Sequence, residues 1–400
     1  MPQTLVLGST GSDVILLQTT LNNRPPTALP LLIVNGRFGS KTLRRVKEYQ
    51  TNNGLFVDGK VGPITWGKLL EGAPAPQQTF HVQGRHLFDR LGNKVILRGI
   101  NKMSVWDLDN DPTGAISCAE IRKTGANTIR IVWAIRTDLQ PGISDTDPNV
   151  LDTIITNAKQ NHLIPTIELH DATGDWNRLQ DLVDYWVRPD IVSIIQKHQE
   201  YLLVNIGNEV GDTVTAAQFI DGYTNAVRSM RTAGIHTPLV IDAAGWGKDL
   251  DILDATAPTL LNADPDKNLI FSVHLYWAIA GGADANFIRS RLQTSVNLDY
   301  PLIVGEFSKF GGFAGAGQSV CSPNGEIDYG TIIAECNKHE IGWYVWEWGP
   351  GNDFNDPLCA VMDMTPDRLF ASLKPGWAKE VAISSPFSIQ NTSVTPPSML

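Results

Sequence analysis

The segment Leu202-Leu203-Val204-Asn205-Ile206-Gly207-Asn208-Glu209-Val210 begins as an apolar run and ends on an amide and a carboxylate. The apolar run predicts a strand that is buried on both faces, as in a parallel sheet covered by helices. Gly207 interrupts the run, so we expect Asn208 and Glu209 to lie at the end of the strand. A glutamate in such a place has little free water around it and is suited to hold and donate a proton. The alternative is a glutamate that simply begins a surface loop.

Strands of this kind recur along the chain, and amphipathic helical patterns separate them. The predicted strands are Val95–Asn101, Thr128–Trp133, Ile164–His170, Tyr201–Asn208, Leu239–Ala244, Leu269–Tyr276, Leu302–Glu306 and Gly342–Trp348. Eight strands alternating with helices over about 300 residues predict an α/β fold, a closed parallel (β/α)8 TIM barrel. A doubly wound open sheet is the alternative, but it would need a glycine-rich phosphate loop after its first strand. The segment Gly99-Ile100-Asn101-Lys102-Met103 is not such a loop.

Composition narrows the class of protein. The chain has 400 residues, of which 42% are hydrophobic and 18% charged, as in a folded protein with a sizeable core. Its net charge of −10 argues against nucleic acid or an anionic membrane as the main partner. No apolar run approaches the roughly 20 residues of a membrane span, and the N-terminus does not resemble a signal peptide. We expect a monomer.

The first 72 residues contain a repeated turn. The segment Val34-Asn35-Gly36-Arg37-Phe38-Gly39-Ser40-Lys41-Thr42 matches Val57-Asp58-Gly59-Lys60-Val61-Gly62-Pro63-Ile64-Thr65 position by position. Each copy has an Asx-Gly turn, one apolar residue, a second glycine and a helix start. Together with an amphipathic helix that begins near Asp13, the repeats predict an all-α three-helix module over residues 1–72. A Pro/Gln linker over residues 73–79 follows.

The repeated turn and the opening Gly11-Ser12-Asp13-Val14-Ile15-Leu16-Leu17-Gln18 resemble the peptidoglycan-binding-domain-like family. The resemblance covers nearly all of residues 4–71. It implies that residues 1–72 attach the chain to cell-wall glycan, although such modules also occur as structural appendages. On this domain content we expect a secreted or cell-wall-associated protein.

The carboxyl ends of the barrel strands carry ionisable and aromatic residues. Active sites of (β/α)8 barrels lie at these ends, and two glutamates stand out there, Glu209 and Glu306. A retaining glycosidase needs one protonated carboxyl and one ionised carboxylate about 5 to 5.5 Å apart. No nucleophile elbow for a Ser-His-Asp triad and no zinc-binding His-Glu-x-x-His motif are present.

Around these glutamates the chain resembles glycoside hydrolase family 5, the motifs being Asn208-Glu209 and Val304-Gly305-Glu306-Phe307. The resemblance covers essentially all of residues 80–380. Further matches are typical of the bacterial β-1,4-mannanase branch of that family: Gly125–Val132, Glu168–Gly174, Asp242–Gly247 and His274–Tyr276. The family implies an endo-acting retaining enzyme that cleaves a β-linked polysaccharide without any metal or cofactor.

The resemblance also implies a role for each residue of the candidate site. Glu209 is the acid/base, Glu306 is the nucleophile, and Asn208 binds the sugar 2-hydroxyl. Arg130 keeps the nucleophile ionised, and Tyr276 donates its hydroxyl to Glu306. The remaining predicted substrate-binding or supporting residues are His170 and His274, Trp346 as a stacking floor for the sugar, and four tryptophans that extend the cleft or pack the barrel end: Trp133, Trp246, Trp277 and Trp348.

The sequence departs from the mannanase branch at three strand ends. Trp277-Ala278 replaces an acidic residue and Tyr, Ser308-Lys309 replaces Gly-His, and Glu347 stands between two tryptophans where Ser is usual. Because these positions shape sugar subsites, three hypotheses stay open: an endo-β-1,4-mannanase active on mannan or glucomannan, an endo-β-1,4-glucanase active on cellulose or mixed-linkage glucan, and a wall-tethered glycan-binding protein that does not hydrolyse.

Two further features concern the cysteines and the C-terminus. Cys118 lies in a helical pattern and is expected to be a buried thiol, whereas two of Cys321, Cys336 and Cys359 could pair. Residues 384–400 are rich in Ser, Thr and Pro, so we expect an irregular tail after the barrel domain of residues 80–383.

Overall fold

The second of two compact units, Gln78–Leu400, is built on a closed barrel of eight parallel strands. The computed structural model describes residues 3–22, 29–33, 36–70, 79–135, 146–311, 323–352 and 360–400. Three short strands come first, β1 (His81–Gln83), β2 (His86–Phe88) and β3 (Lys94–Val95). The barrel strands are β4 (Arg98–Lys102), β5 (Thr128–Trp133), β6 (Ile164–Leu169), β7 (Leu203–Asn205), β8 (Leu239–Asp242), β9 (Leu269–His274), β10 (Leu302–Glu306) and β11 (Gly342–Val345).

The predicted TIM barrel is confirmed, and its strands follow chain order around the barrel until β11 pairs with β4. Every residue of the eight barrel strands is buried. Several strands are shorter than predicted at their carboxyl ends. β7, for example, ends at Asn205 rather than Asn208, because the backbone leaves the ladder there to turn Asn208 and Glu209 into the barrel mouth.

Helices surround the barrel and bury one apolar face each. In the helix Pro148–Gln160 the buried residues are Leu151, Ile154, Ile155 and Ala158, the spacing of a single helical stripe. The main helices of this unit are Ala115–Arg122, Pro148–Gln160, Leu179–Trp186, Pro189–His198, Ala216–Thr232, Leu250–Ala263, Ala285–Asn297 and Tyr329–Lys338. This ring excludes water from the outer side of the strands, so the barrel mouth is where polar side chains collect.

The amino-terminal end of the barrel is closed by the short sheet and by the C-terminal segment. The segment predicted as an irregular tail is ordered against the barrel: Ile389 and Met399 are fully buried, and a short helix spans Ile389–Thr392. The Nδ2 of Asn127 donates to the carbonyl of Val394 at 2.9 Å. The segment is therefore more ordered than expected, because isolated apolar residues such as these give no periodic signal in the sequence and yet pack against the barrel.

The first unit, Met1–Gln77, contains the three predicted helices, α1 (Ser12–Asn22), α2 (Ser40–Asn52) and α3 (Pro63–Leu70). Each repeated turn is held by a buried glutamine of the preceding helix. Gln18 Oε1 accepts the Gly36 N–H at 3.0 Å, and Gln50 Oε1 accepts the Gly59 N–H at 2.8 Å. Both glycines have positive φ, 68° and 73°, which explains their recurrence in the repeat.

Two of the four cysteines lie within the described residues. Cys118 and Cys336 are buried free thiols, as predicted for Cys118. Cys336 is therefore not one of a pair, and Cys321 and Cys359 fall outside the described residues. Across the described ranges, the helices are too short or too polar to cross a bilayer.

Candidate active site

Glu209 and Glu306 face each other at the carboxyl end of the barrel. Glu306 is the last residue of β10, and Glu209 follows β7. One carboxylate oxygen of each lies within 4.8 Å of the other. Glu209 has a positive φ of 46°, and its carbonyl accepts the Gly174 N–H at 2.8 Å. This short separation matches the spacing of a retaining carboxyl pair and leaves no room for the water that an inverting pair holds.

Arg130 connects the nucleophile position to the rest of the barrel mouth. Its Nη1 donates to Glu306 Oε1 at 2.7 Å, and its Nη2 donates to Asn208 Oδ1 at 2.8 Å. The guanidinium is fully buried; burial opposes its charge, but Glu168, Glu306 and Asp242 raise its pKa. Arg130 therefore stays charged and orients both residues at once.

The contact with Arg130 decides which way the Asn208 amide points. Because Oδ1 accepts from the guanidinium, Nδ2 faces Thr173 Oγ1 at 3.0 Å and His170 Nε2 at 3.3 Å. His170 is held on its other side by Glu168, with Nδ1 and Oε1 2.9 Å apart. Burial lowers the pKa of His170, but Glu168 outweighs it and the net shift is upward. The Asn208 amide is therefore fixed in one orientation, with Oδ1 toward Arg130 and Nδ2 toward Thr173 and His170.

His274 is a buried cation between the two glutamates. Its Nδ1 lies 2.7 Å from Glu209 Oε1 and 3.7 Å from Glu306 Oε1. Burial works against its charge, yet Glu306 and Asp242 raise the pKa of His274 to about 10. Glu209, His274 and Glu306 have the mutual spacing of a metal site. A protonated imidazole offers no lone pair to a metal, so this cluster is suited to stabilise carboxylates rather than to bind a cation.

Tyr276 holds the second oxygen of Glu306. Its hydroxyl donates to Glu306 Oε2 at 2.9 Å, while Oε1 is held by Arg130. Burial raises the pKa of Glu306; His274 and Arg130 lower it, and Glu209 adds to the rise, so the net shift is upward. The hydrogen bond from Tyr276 favours the ionised form against this shift.

Replacing Tyr276 by Phe is expected to lower kcat/KM by about 10- to 100-fold, the cost of a hydrogen bond to a charged group. The acidic limb of the pH profile should move to higher pH, because the ionised form of Glu306 loses a donor. Steady-state kinetics across pH measure both effects. The matched control is Tyr223→Phe, since Tyr223 is fully buried and its hydroxyl has no hydrogen-bond partner within the described ranges. Equal losses in both variants would contradict a specific role for Tyr276.

Two of the predicted tryptophans lie where a sugar could reach them. Trp346 is 7% exposed and stacks on His170, with ring centres 6.1 Å apart and an interplanar angle of 26°. Trp246 is 44% exposed and has a positive φ of 57°. A Cβ at Gly174 would lie 2.6 Å from the Trp246 ring, so a glycine is needed beneath it. These rings lie on different sides of the glutamate pair, after β11 and β8.

Trp133 and Trp348 pack the end of the barrel and do not line the cleft, which is one of the two alternatives that the sequence left open for them. Both are fully buried. The Trp133 indole N–H donates to Tyr185 Oη at 3.2 Å, and that of Trp348 donates to the Arg368 carbonyl at 2.8 Å. Their large apolar surfaces fill the space between strands and helices. Successive side chains near the end of a strand point alternately into and out of the barrel. The sequence pattern did not distinguish the two directions at these positions.

Trp277 occupies an intermediate position. Its indole N–H donates to the Lys248 carbonyl at 3.2 Å, and its ring packs edge-to-face on Phe287. Together with Tyr276 it lines an open cavity of about 340 Å³. Its face therefore remains a candidate for contact with a distant part of the substrate.

The site contains further buried polar residues to which no role was assigned from the sequence, although Asn101 was expected at a strand end. Asn101 Oδ1 accepts from Arg130 Nη1 at 3.0 Å, and Asn205 Oδ1 accepts from its Nε at 3.0 Å. Burial raises the pKa of Asp242, but His274 and Arg130 overcome it and lower it to about 2. Asp242 also accepts the Glu209 N–H at 3.2 Å. A polar residue inside an apolar strand, as in Thr128-Ile129-Arg130-Ile131, was the signal that could have found them.

A (β/α)8 barrel with a close glutamate pair at its carboxyl end, one held by an arginine and a tyrosine, defines the class of retaining glycoside hydrolases. Residues 88–352 match the family model described as cellulase (glycosyl hydrolase family 5). The chain belongs to glycoside hydrolase family 5, and it is an enzyme of the retaining type. Residues 10–69 match a model described as a putative peptidoglycan binding domain.

Individual relatives are named for mannan. The chain is 33% identical over 271 residues to a mannan endo-1,4-beta-mannosidase of Salipaludibacillus agaradhaerens, covering 67% of this chain and 81% of the relative. It is 32% identical over 361 residues to that of Cellvibrio japonicus, covering 87% and 76%. A solved structure of Thermomonospora fusca beta-mannanase with mannotriose has a TM-score of 0.66 at 28% identity, covering 79% of this chain and 98% of that one.

Proposed function

We propose that this chain is an endo-β-1,4-mannanase in which Glu209 is the acid/base and Glu306 is the nucleophile. The observation that carries the proposal is the pair itself, two carboxylates within 4.8 Å of each other at the barrel mouth. The named activity of the relatives supports mannan as the substrate.

The reaction proceeds in two displacements. In the first, an oxygen of Glu306 attacks the anomeric carbon while the Glu209 carboxyl donates its proton to the departing glycosidic oxygen, so that a glycosyl ester forms and the leaving chain keeps its hydroxyl. In the second, Glu209 takes a proton from water, and that water displaces Glu306 from the anomeric carbon. Two inversions give net retention.

The supporting residues hold the nucleophile and the sugar in place during these steps. Arg130 and Tyr276 each hold one oxygen of Glu306, which keeps the carboxylate aligned and ionised before attack. Asn208 binds the 2-hydroxyl of the sugar through Nδ2, a donor that also reaches Thr173 Oγ1, and the contact with the sugar strengthens as the ring becomes oxocarbenium-like. Trp346 supplies an apolar face for the same sugar.

The competing substrate is a β-1,4-glucan. It stays a possible substrate because Trp277, Ser308 and Glu347 depart from the sequence pattern of the mannanase branch. Mannose and glucose differ only at C2. In the proposed site that carbon faces Asn208, whose donor is shared with Thr173 and His170. A site built to hydrogen-bond one orientation of a hydroxyl discriminates strongly against the other. The complete glutamate pair argues against the third hypothesis, a binding protein without hydrolysis.

Reducing-sugar release from four polysaccharides tests this choice. We expect galactomannan and glucomannan to be cleaved at least about 100-fold faster than carboxymethyl cellulose and mixed-linkage glucan, the discrimination available to one well-placed hydroxyl contact. NMR of the first products should show the β-anomer. Equal or faster cleavage of the glucans would make the enzyme a glucanase, and no release from any of the four would contradict the proposed function.

We further propose that residues 1–72 bind cell-wall glycan and that the protein works outside the cell or at the wall. The match of residues 10–69 to a peptidoglycan-binding model supports this. The full chain should sediment with insoluble peptidoglycan; a chain that stays in the supernatant would leave the module as a structural appendage.

A further inference from the structure

An aromatic corner formed by Trp277 and Phe287 lies beside the glutamate pair, and the proposed reaction does not use it. The two rings meet edge to face, with their centres 5.4 Å apart and an interplanar angle of 78°. The indole N–H of Trp277 donates to the Lys248 carbonyl at 3.2 Å, which fixes one edge of the ring. Phe287 lies in the first turn of the helix Ala285–Asn297 and is 42% exposed. An exposed phenyl ring held against a second aromatic ring is a surface that a ligand can cover.

The aromatic corner forms part of the wall of an open cavity next to the nucleophile. The cavity has a volume of about 340 Å³, and both rings of the corner line it together with Tyr276. Its size falls in the range of roughly 300 to 1,000 Å³ that ligand sites occupy. The Tyr276 hydroxyl donates to Glu306 Oε2 at 2.9 Å. The cavity therefore adjoins the candidate active site, within reach of a polymer bound there.

The wall of the same cavity also borders the proposed acid/base. Lys248, which lines the cavity, directly follows Gly247. A Cβ at Gly247 would lie 2.7 Å from the His274 ring and 3.0 Å from Glu209 Cγ, so this backbone packs closely against both side chains. The Gly247 carbonyl accepts the His274 N–H at 2.7 Å. The cavity thus lies next to both members of the glutamate pair.

The order of the strands decides which part of a bound polysaccharide would reach the cavity. Glu306 ends β10 and Glu209 follows β7, so β8 and β9 lie on one side of the pair, and β11 and β4 to β6 lie on the other. Trp346 and His170, whose rings stack, follow β11 and β6 on the second side. The aromatic corner follows β9 on the first side. A sugar under attack that stacks on Trp346 therefore leaves the first side to the departing chain.

We propose that the aromatic corner is a binding subsite for a sugar of the departing segment, the part of the polysaccharide that leaves when the glycosidic bond is cleaved. The inference rests on the proposed function, which places the attacked sugar on Trp346. The C–H-rich faces of pyranose rings pack on aromatic rings. Trp277 stands where the mannanase branch usually has an acidic residue, so the corner is a specificity feature of this chain. Binding there favours the cleavage of substrates that extend to the departing side.

Kinetics on two substrates test the subsite. Mannohexaose extends to both sides of the glutamate pair, whereas dinitrophenyl β-mannobioside has no sugar on the departing side. Trp277→Ala should lower kcat/KM for mannohexaose about tenfold and leave that for the dinitrophenyl substrate within about twofold of the wild type, because only the first substrate contacts the corner. Phe287→Ala should act in the same direction, and its exposed position carries the test if Trp277→Ala does not fold.

The matched control is Leu298→Ala. Leu298 is 45% exposed at the other end of the same helix and does not line the cavity, so its replacement should change neither rate. An equal loss on both substrates, or no loss on mannohexaose, in the two corner variants would overturn the proposal.

The position of cleavage gives a second readout. Because water attacks the anomeric carbon, hydrolysis in water labelled with heavy oxygen marks the new reducing end of the attacked fragment. Mass spectrometry then counts the sugars on each side of the cleaved bond. Trp277→Ala and Phe287→Ala should shift the pattern toward longer labelled fragments, since the departing side holds its sugars less tightly, and Leu298→Ala should not. An unchanged pattern in both corner variants, or a shift to shorter labelled fragments, would overturn the inference.

A failure of the proposed function would show in the wild type, before any variant is compared. If the wild type cleaves cellohexaose and not mannohexaose, mannan is not the substrate, and the same comparison decides the subsite with cellohexaose and dinitrophenyl β-cellobioside. If it cleaves neither hexasaccharide, the proposed function is contradicted and this inference falls with it.

Discussion

Replacing Glu306 by Ala is expected to reduce hydrolysis of the polysaccharide by at least about 10⁵-fold, because the glycosyl ester of the proposed mechanism forms on this carboxylate. Arg130 and Tyr276 converge on the two oxygens of this one carboxylate. Once the carboxylate is removed, Arg130 and Tyr276 no longer align a nucleophile. Thermal unfolding should confirm that the variant is folded, and reducing-sugar release measures the loss.

Azide distinguishes a lost nucleophile from a damaged site. In Glu306→Ala the small anion can enter the space left by the carboxylate and attack the anomeric carbon once, which yields a glycosyl azide of inverted configuration. The matched control is Glu340→Ala, a partly exposed glutamate paired with Lys94, which should keep wild-type turnover. If Glu306→Ala retains near-wild-type hydrolysis, or if azide gives only the retained product, Glu306 is not the nucleophile.

Replacing Glu209 by Ala is expected to lower hydrolysis of the polysaccharide by about 10²- to 10⁴-fold, the usual contribution of a general acid and base. The loss should depend on the leaving group. A sugar alcohol departs poorly without a proton, whereas a dinitrophenolate hardly needs one. The first step should therefore remain fast with a dinitrophenyl glycoside, and the second should become slow because water lacks its base. A burst of phenolate measured by stopped flow is the expected signature.

Azide acts differently on this second variant. It needs no general base, so it should accelerate turnover of the dinitrophenyl substrate by Glu209→Ala and give a glycosyl azide of retained configuration. The opposite stereochemistry in the two variants assigns the two glutamates separately. A glycosyl azide of inverted configuration from Glu209→Ala would assign Glu209 as the nucleophile instead. An equal loss of activity on the polysaccharide and on the dinitrophenyl glycoside would mean that Glu209 is not the general acid.

Both predictions depend on a charge arrangement that the barrel holds in place. Arg130 and His274 are buried cations, and Glu306, Asp242 and Glu168 surround them. Removing one cation would leave buried carboxylates without compensation, which destabilises a protein more than a surface change does. The Tyr276→Phe substitution removes no charge, so it reports on function more directly than a change at Arg130 would.

Much of the site was predictable because barrel geometry converts chain order into position. Strand ends lie together at one rim whatever the intervening helices are. Asn208, Glu209, His274, Tyr276 and Glu306 could therefore be brought together from separate segments before any coordinates were known.

The burial and orientation of side chains were harder to predict from the sequence. Trp133 and Trp246 both follow strand-like runs, yet one is fully buried and the other is 44% exposed. The difference depends on whether the backbone has left the strand: Trp133 is still within β5, whereas Trp246 lies in a turn with positive φ. Local sequence patterns do not locate the end of a strand to within the few residues that decide whether a side chain is buried or exposed.

The sequence by itself determined the barrel and the two glutamates, because strand periodicity and strand-end chemistry are local properties of the chain. Only the tertiary structure decided how each carboxyl is held, with Arg130 and Tyr276 on Glu306 and His274 beside Glu209. It also turned an unpatterned C-terminus into the cover of the strand ends. These features join residues up to hundreds of positions apart, and the balance of burial and charge that sets their protonation exists only once the chain is folded.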